Sequence, residues 1–242
     1  MTPRLPDMSD ATEQWPVSGP ITGVIFDIHA TLIDQGDADA WLDAALDAEP
    51  HPLSAEERIE LVAFLDRIWE GARVKDPAST RDLSFDDHSR VFHELLGDGP
   101  AVDRRLANAL YDVMLSTWHA YDDTVPTLRE LRGMGISTCL LSNAGVPIRS
   151  VLDREGVAPW VDHTVLSYEV GSVKPDLRIF RAALAALGMD AEQVLMVGDN
   201  AHDDGGGTRL GLRTLILPRT AGRIHGLAAV PALIAGVNRA FA

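Results

Sequence analysis

The 242 residues carry 21 Lys and Arg against 36 Asp and Glu, a formal charge of −15, and suffice for one domain with a sizeable insertion that buries roughly 70% of its unfolded surface. An acidic balance is a poor match for the phosphate backbone of nucleic acid, and its plain consequence is solubility. A single cysteine excludes a disulfide framework, a zinc knuckle and a Cys-X-X-Cys redox pair, and fits a reducing, cytoplasmic compartment. No apolar run reaches the ~20 residues of a membrane span. Met1 to Pro20 lacks the apolar segment of a signal peptide and reads as a flexible lead-in.

Ile21 to Asp27 is short, apolar and rich in β-branched residues, as a strand buried on both faces should be. Similar runs recur at Ile136–Leu141, Val194–Val197 and Arg213–Leu217, with His163–Leu166 a weaker fifth. Helical patterns separate the later runs. Thr124 is expected to cap a helix through Met134, and Pro175 to sit in the first turn of a helix ending near Gly188. Strands alternating with helices predict a doubly wound parallel α/β sheet.

Between Ile33 and Ala120 no strand pattern appears. Ser54 and Glu57 form a capping box, followed by Leu61, Val62, Leu65, Ile68 and Trp69 on one helical face. Ser84 to Asp87 predicts a second helix start. Ala101 to Trp118 predicts a third helix, with Leu106, Leu110, Val113, Met114 and Trp118 inward. The Trp and Leu stripes read as core. His88 and His93, five apart, do not share a helix face and read as surface or cap residues. Cys139 lies in an apolar strand and reads as buried and inert. Gly205-Gly206-Gly207 follows no strand in the right place for a dinucleotide loop.

Polar groups stand where the apolar strands end: Asp27 after Val-Ile-Phe, Ser142 after Cys-Leu-Leu, and Asp199 after Leu-Met-Val-Gly. The carboxyl ends of parallel strands are where open α/β sheets bind ligands. Lys174, before Pro175, supplies a cation to the same end. In combination these segments resemble the haloacid dehalogenase superfamily. Phe26-Asp27-Ile28-His29-Ala30-Thr31-Leu32-Ile33-Asp34 is similar to its first motif. Leu140-Leu141-Ser142-Asn143 is similar to the second, Val173-Lys174-Pro175-Asp176 to the third, and Val197-Gly198-Asp199-Asn200-Ala201-His202-Asp203 to the fourth.

The resemblance covers about Ile21 to Leu217. It implies an α/β core over residues 21–32 and 122–242, and an α-helical cap over 33–121. It also implies Mg2+-dependent hydrolysis of a small phosphorylated molecule, with Asp27 as nucleophile. Asp27, Asp199 and the main-chain carbonyl of His29 would hold the metal. Ser142 and Lys174 would bind the phosphoryl group, with Thr31 and Asn143 in support. Asp203 would orient a metal-bound water or Lys174. No nucleic acid or membrane partner is implied, and either a monomer or a homodimer would serve.

Position 29 departs from the family, whose phosphatases carry there an Asp that protonates the leaving group. His29 could do the same work, since an imidazole titrates near 6.5, or it could fill space. Ala30 replaces a glycine and asks for a compatible backbone. Two other functions stay open. A 2-haloacid dehalogenase needs no acid for a halide, but the Gly198-Asp199 pair and the lack of Arg or Lys from Ile28 to Glu57 speak against it. A non-catalytic ligand-binding protein would explain His29 but not the retention of the other site residues. Arg58, Arg67, Arg73, Lys75 and Arg81 are candidates for substrate selection from the cap.

Overall fold

A computed structural model of the chain describes residues 19–100, 102–220 and 222–242. Most of the expected lead-in, residues 1–18, lies outside the described residues. Five parallel strands form the main sheet: β1 (Gly23–Phe26), β4 (Ser137–Ser142), β5 (His163–Leu166), β6 (Val194–Gly198) and β7 (Arg213–Ile216), in the order β5-β4-β1-β6-β7. All four residues of β1 are buried, which explains its unbroken apolar run. The weak fifth run is the edge strand β5, where one face is less covered and His163 is exposed. Helices α6 (Thr124–Gly133), α7 (Arg149–Arg154), α8 (Ser167–Val170), α9 (Leu177–Leu187) and α10 (Ala229–Asn238) make up the rest of the core.

Register places the site. Phe26 pairs with both Leu140 and Val197, so Asp27, Ser142 and Asp199 leave the sheet at the same end, within two residues of one level. That end is also where the chain order reverses on either side of β1, the usual ligand crevice of such sheets.

The expected helical insert is present as α1 (Ala38–Ala48), α2 (Ala55–Asp66), α3 (Ile68–Lys75), α4 (Phe85–Asp98) and α5 (Arg104–Val113). Polar caps set their starts. Asp37 caps α1, the Ser54–Glu57 box caps α2 with both arms made, Ser84 caps α4 and Asp103 caps α5. The Leu61–Trp69 stripe is split by a break at Arg67, which turns α3 away from α2. Leu42, Leu61, Leu65, Phe92, Leu106 and Leu110 of the insert are buried in one hydrophobic cluster that continues to Phe26 and Leu140 of the sheet. Trp41 Nε1 donates to Leu110 O at 2.8 Å and ties α1 to α5.

Two short strands, β2 (Ile33–Asp34) and β3 (His119–Ala120), pair antiparallel where the chain enters and leaves the insert. Beside them Arg219 Nε and Tyr121 Oη both donate to Asp34 Oδ2 at 2.8 Å. Two expectations are corrected near these joints. Thr124 does not cap its helix: its hydroxyl donates to Leu32 O at 2.8 Å, a better use for a buried hydroxyl. Pro175 precedes its helix, which starts at Leu177 under an Asp176 cap.

The cap closes on the core at Gly145. A Cβ there would overlap the backbone oxygen of Arg81 and lie 2.8 Å from His88 Cβ. Ser167 Oγ donates to Asp82 O and accepts from Ala144 N, bridging the same seam. No rotamer relieves a clash with backbone, so Gly145→Ala is expected to cost about 1–3 kcal/mol of stability or to hold the cap open. Denaturant unfolding and small-angle scattering would detect these outcomes. Unchanged stability with unchanged dimensions would show that the seam yields freely.

Candidate active site

Asp27 follows the last residue of β1, and its N–H still donates to Val197 O at 2.9 Å. The next residues coil tightly. Ile28 O accepts from Leu32 N and Ile33 N at 2.9 Å and from Thr31 N at 3.3 Å. Ala30 sits at φ +61°, a left-handed conformation that explains why a glycine suits this position. This coil fixes the Asp27 carboxylate at the mouth of the central strand.

Lys174 Nζ lies 2.6 Å from Asp27 Oδ1 and 2.6 Å from Asp204 Oδ1. Asn143, at the end of β4, grips the Lys174 backbone from both sides: its Oδ1 accepts from Lys174 N at 2.7 Å and its Nδ2 donates to Lys174 O at 3.1 Å. Thr31 Oγ1 donates to Asp27 Oδ2 at 3.3 Å. Ser142 is buried and lines the same cavity.

The fourth segment needs a correction. The carboxylate that holds Lys174 is Asp204, not Asp203. Asp204 is fully buried and also accepts from Asn200 N at 3.0 Å. A Cβ on Gly198 would overlap its carboxylate, so the glycine that ends β6 makes room for it. Asp203 borders the cavity beside it. The turn from Asp204 to Leu210 is 3₁₀, and its starting register, rather than any residue type, decides which of two adjacent acids turns inward.

Asp27, Asp199 and Asp204 bring one carboxylate oxygen each to within 4.8 Å of one another. One lysine does not balance three acids. Burial first, then repulsion from Asp27 and Asp204, pushes Asp199 up to about 7. Asp204 is pushed upward by burial, against the pull of Lys174. Burial disfavours the Lys174 charge, but Asp204 and Asp27 outweigh it and hold the ammonium above its ordinary range. An all-oxygen set of acids with unmatched charge suits a hard divalent cation.

The cap supplies the opposite wall. Trp69, Arg73, Arg81, Asp82, His88 and Trp118 face the sheet-end residues across a cavity of about 90 Å³. Trp118 is buried in the core, as expected, and Trp69 packs half-buried against it, yet both also border this cavity. His88 is not a surface residue. It is buried, 3.1 Å from Tyr111 Oη through Nδ1, and burial followed by the Arg81 charge lowers it to about 3. These residues were missed because a helical stripe does not distinguish an interior from a cavity wall. Asp82 is pushed up to about 7 by burial, against the charge of Arg81 3.3 Å away. Cys139 is buried as expected, and burial pushes its thiol up to about 12.

His29 packs its ring against Trp118, with centroids 4.8 Å apart. Its Nε2 is buried without a hydrogen-bond partner. Burial, then the charges of Arg219 and Arg73, lowers it to about 4, so the imidazole is neutral around pH 7.

The acid cluster sets a pH dependence. A carboxyl raised from 3.8 to about 7 on folding stabilises the fold below pH 4 and loses that contribution as pH rises through 7. Metal-free protein is therefore expected to lose melting temperature from Asp199 between about pH 4 and pH 7. Added Mg2+ should restore most at pH 7 and little near pH 5, because binding requires ionised ligands. Scanning calorimetry with chelator and with Mg2+ would test this, and a Mg2+ gain independent of pH would contradict it.

The description of haloacid dehalogenase-like hydrolases matches residues 21–211. The chain is 39% identical over 136 residues to the phosphoserine phosphatase of Thermus thermophilus, but spans only 54% of that protein, with 54% of its own length. It is 28% identical over 202 residues to the (S)-2-haloacid dehalogenase of Pseudomonas sp. strain YL, covering 83% of this chain and 84% of that one. A crystal structure of a HAD phosphatase from Thermococcus onnurineus shares the fold, with a TM-score of 0.60 and 21% identity over 89% of this chain and 99% of that one. With more than half of its length matched and its core and cap both present, this chain belongs to the haloacid dehalogenase-like hydrolases.

Proposed function

We propose that the chain hydrolyses a small phosphate monoester through an aspartyl-phosphate on Asp27. The observation that carries this reading is the gathering of Asp27, Asp199 and Asp204 around Lys174 at the cavity floor. A phosphoryl group brings negative charge toward a carboxylate nucleophile, so the site needs cations. Displacing a halide from a monoanionic acid makes no such demand.

Asp27, Asp199 and Asp204, with the main-chain carbonyl of His29, would hold Mg2+, which would offset phosphoryl charge as the ester is cleaved. Oδ1 of Asp27 is held by the Lys174 ammonium at 2.6 Å and Oδ2 only by the longer, neutral contact from Thr31 at 3.3 Å, so Oδ2 is the freer oxygen for attack. The Asp27 O–P bond forms and the P–O ester bond breaks. The departing alkoxide takes a proton from water, since no carboxylic acid stands at position 29. Water then attacks phosphorus and returns Asp27 and inorganic phosphate. Lys174 and Ser142 bind the phosphoryl oxygens. Asn143 and Asp204 keep Lys174 in place. Thr31 steadies the nucleophile, and Asp203 orients the incoming water. The closed cap excludes bulk water from the intermediate.

The test is phosphate release from acetyl phosphate and p-nitrophenyl phosphate, with Mg2+ and with chelator. Metal-dependent release that disappears in Asp27→Asn is the expected result. Chloride release from (S)-2-chloropropionate without metal, also lost in Asp27→Asn, would overturn the reading in favour of dehalogenation. A second prediction concerns the leaving group. Restoring an acid with His29→Asp should speed hydrolysis of an alkyl ester such as phosphoserine by about 10²-fold or more. Acetyl phosphate, whose leaving group needs no proton, should change little. Equal effects on both would show that position 29 does not serve the leaving group.

A further inference from the structure

Hydrolysis at Asp27 leaves one proton without a source in the protein. The departing oxygen takes it from water, and the hydroxide so formed needs an acid to restore it. In-line displacement sends that oxygen away from Asp27, from the sheet end toward the cap wall. An acid for this proton has to come from that wall, and Asp82 stands there.

Asp82 lies in the short 3₁₀ turn Thr80–Leu83, between α3 and α4. It is 5% exposed and lines the cavity. Backbone contacts seat this turn on the loop that follows β4. Asp82 O accepts from Ser167 Oγ, which itself accepts from Ala144 N at 2.9 Å, and Arg81 O abuts Gly145. Asp82 is thus two hydrogen bonds away from the residue that follows Ser142 and Asn143. The charges of Asp203 and Lys174, on the core, act on its carboxyl across the cavity.

The surroundings let this carboxyl keep a proton. Arg81 is shared by two acids, Asp82 Oδ2 at 3.3 Å and Asp76 Oδ2 at 3.6 Å, and one cation does not balance both. Asp76 is the better held, since it also accepts from Arg81 N at 2.7 Å and from Thr80 Oγ1 at 3.0 Å. Oδ1 of Asp82 makes no ion pair among the described residues. Of the helices packed on the turn, α4 brings His88, neutral at pH 7, and α8 brings Ser167. Burial, against the charge of Arg81, pushes Asp82 up to about 7, where one group can serve as acid and then as base.

We propose that Asp82 is the acid–base residue of the reaction, acting from the cap through one water. The inference rests on the phosphatase reading. In the first step the Asp27 O–P bond forms and the P–O ester bond breaks. The water beside the leaving oxygen gives it a proton and takes one from the Asp82 carboxyl. In the second step the Asp82 carboxylate takes the proton of the water that attacks phosphorus, and Asp27 and inorganic phosphate are released. An acid at position 29 would act without the relay, so restoring one there still speeds an alkyl ester.

The test is Asp82→Asn, which keeps the size of the side chain and loses its proton. It is assayed with saturating Mg2+ on phenyl phosphate, whose leaving group needs a proton, and on acetyl phosphate, whose leaving group does not. kcat/KM covers the steps up to the aspartyl-phosphate. For phenyl phosphate it should fall about 10²-fold, and for acetyl phosphate stay within about threefold. Wild-type kcat/KM for phenyl phosphate should also decline as pH rises through about 7, because the acid must hold its proton. That decline should be absent with acetyl phosphate and in Asp82→Asn, and Asp82→Glu should recover part of the rate. Three results would overturn the proposal while the phosphatase reading stands: no change in Asp82→Asn, an equal loss on both substrates, which would make Asp82 a part of the seam only, or acetyl phosphate cleaved by the wild type and phenyl phosphate not. If the wild type cleaves neither, the phosphatase reading fails and takes the proposal with it.

Discussion

The constraint on which the structure turns is the Lys174 ammonium, buried between Asp27 and Asp204. Removing one cation and two anions from water is costly, and such groups stay buried only when their hydrogen bonds are well made. Here the surroundings are arranged to make them. The β1–β6 register delivers Asp27 beside the end of β6. Gly198 leaves space for the Asp204 carboxylate, and Asn143 fixes the backbone from which Lys174 extends. Each feature comes from a different strand end, so the site exists only when the whole sheet is in register. Asp199 adds a third acid that Lys174 cannot also satisfy. A fold selected for stability alone would have no reason to retain it.

The cap completes this arrangement without sharing its charges. Arg81, the cap cation nearest the seam, is occupied by Asp76 and Asp82. Its carbonyl meets Gly145, and the next residue's carbonyl receives Ser167 Oγ. The seam is thus made by backbone atoms at close range, which fixes the distance between the two walls of the cavity. At the other end, Asp34 takes Tyr121 and Arg219 together, so the strands that carry the cap are tied to the loop after β7.

Much of this was legible in the sequence, for identifiable reasons. Strands buried on both faces leave unbroken apolar runs, and the polar residue that ends each run marks the ligand edge of the sheet. That logic found Asp27, Ser142 and Asp199, and the family pattern added Lys174. It failed where two neighbouring residues have the same chemistry. Asp203 and Asp204 are indistinguishable by type, and only the 3₁₀ path of the turn selects the inward one. It was incomplete where one pattern serves two ends. Trp69 and Trp118 have the spacing of core residues, yet each presents part of its ring to a cavity. Thr124 stands where a cap is expected, but the chain crossing above it offers the Leu32 carbonyl as a better partner.

Charge balance joins these parts. At the floor, Lys174 cancels one of three carboxylates, and a divalent cation would cancel the other two. The floor would then be neutral and able to admit a phosphoryl dianion. Asp82, raised to about 7 by burial, and Asp76 absorb Arg81, so the seam adds no positive charge. His29 is neutral because it is buried against Trp118 in the field of Arg219 and Arg73.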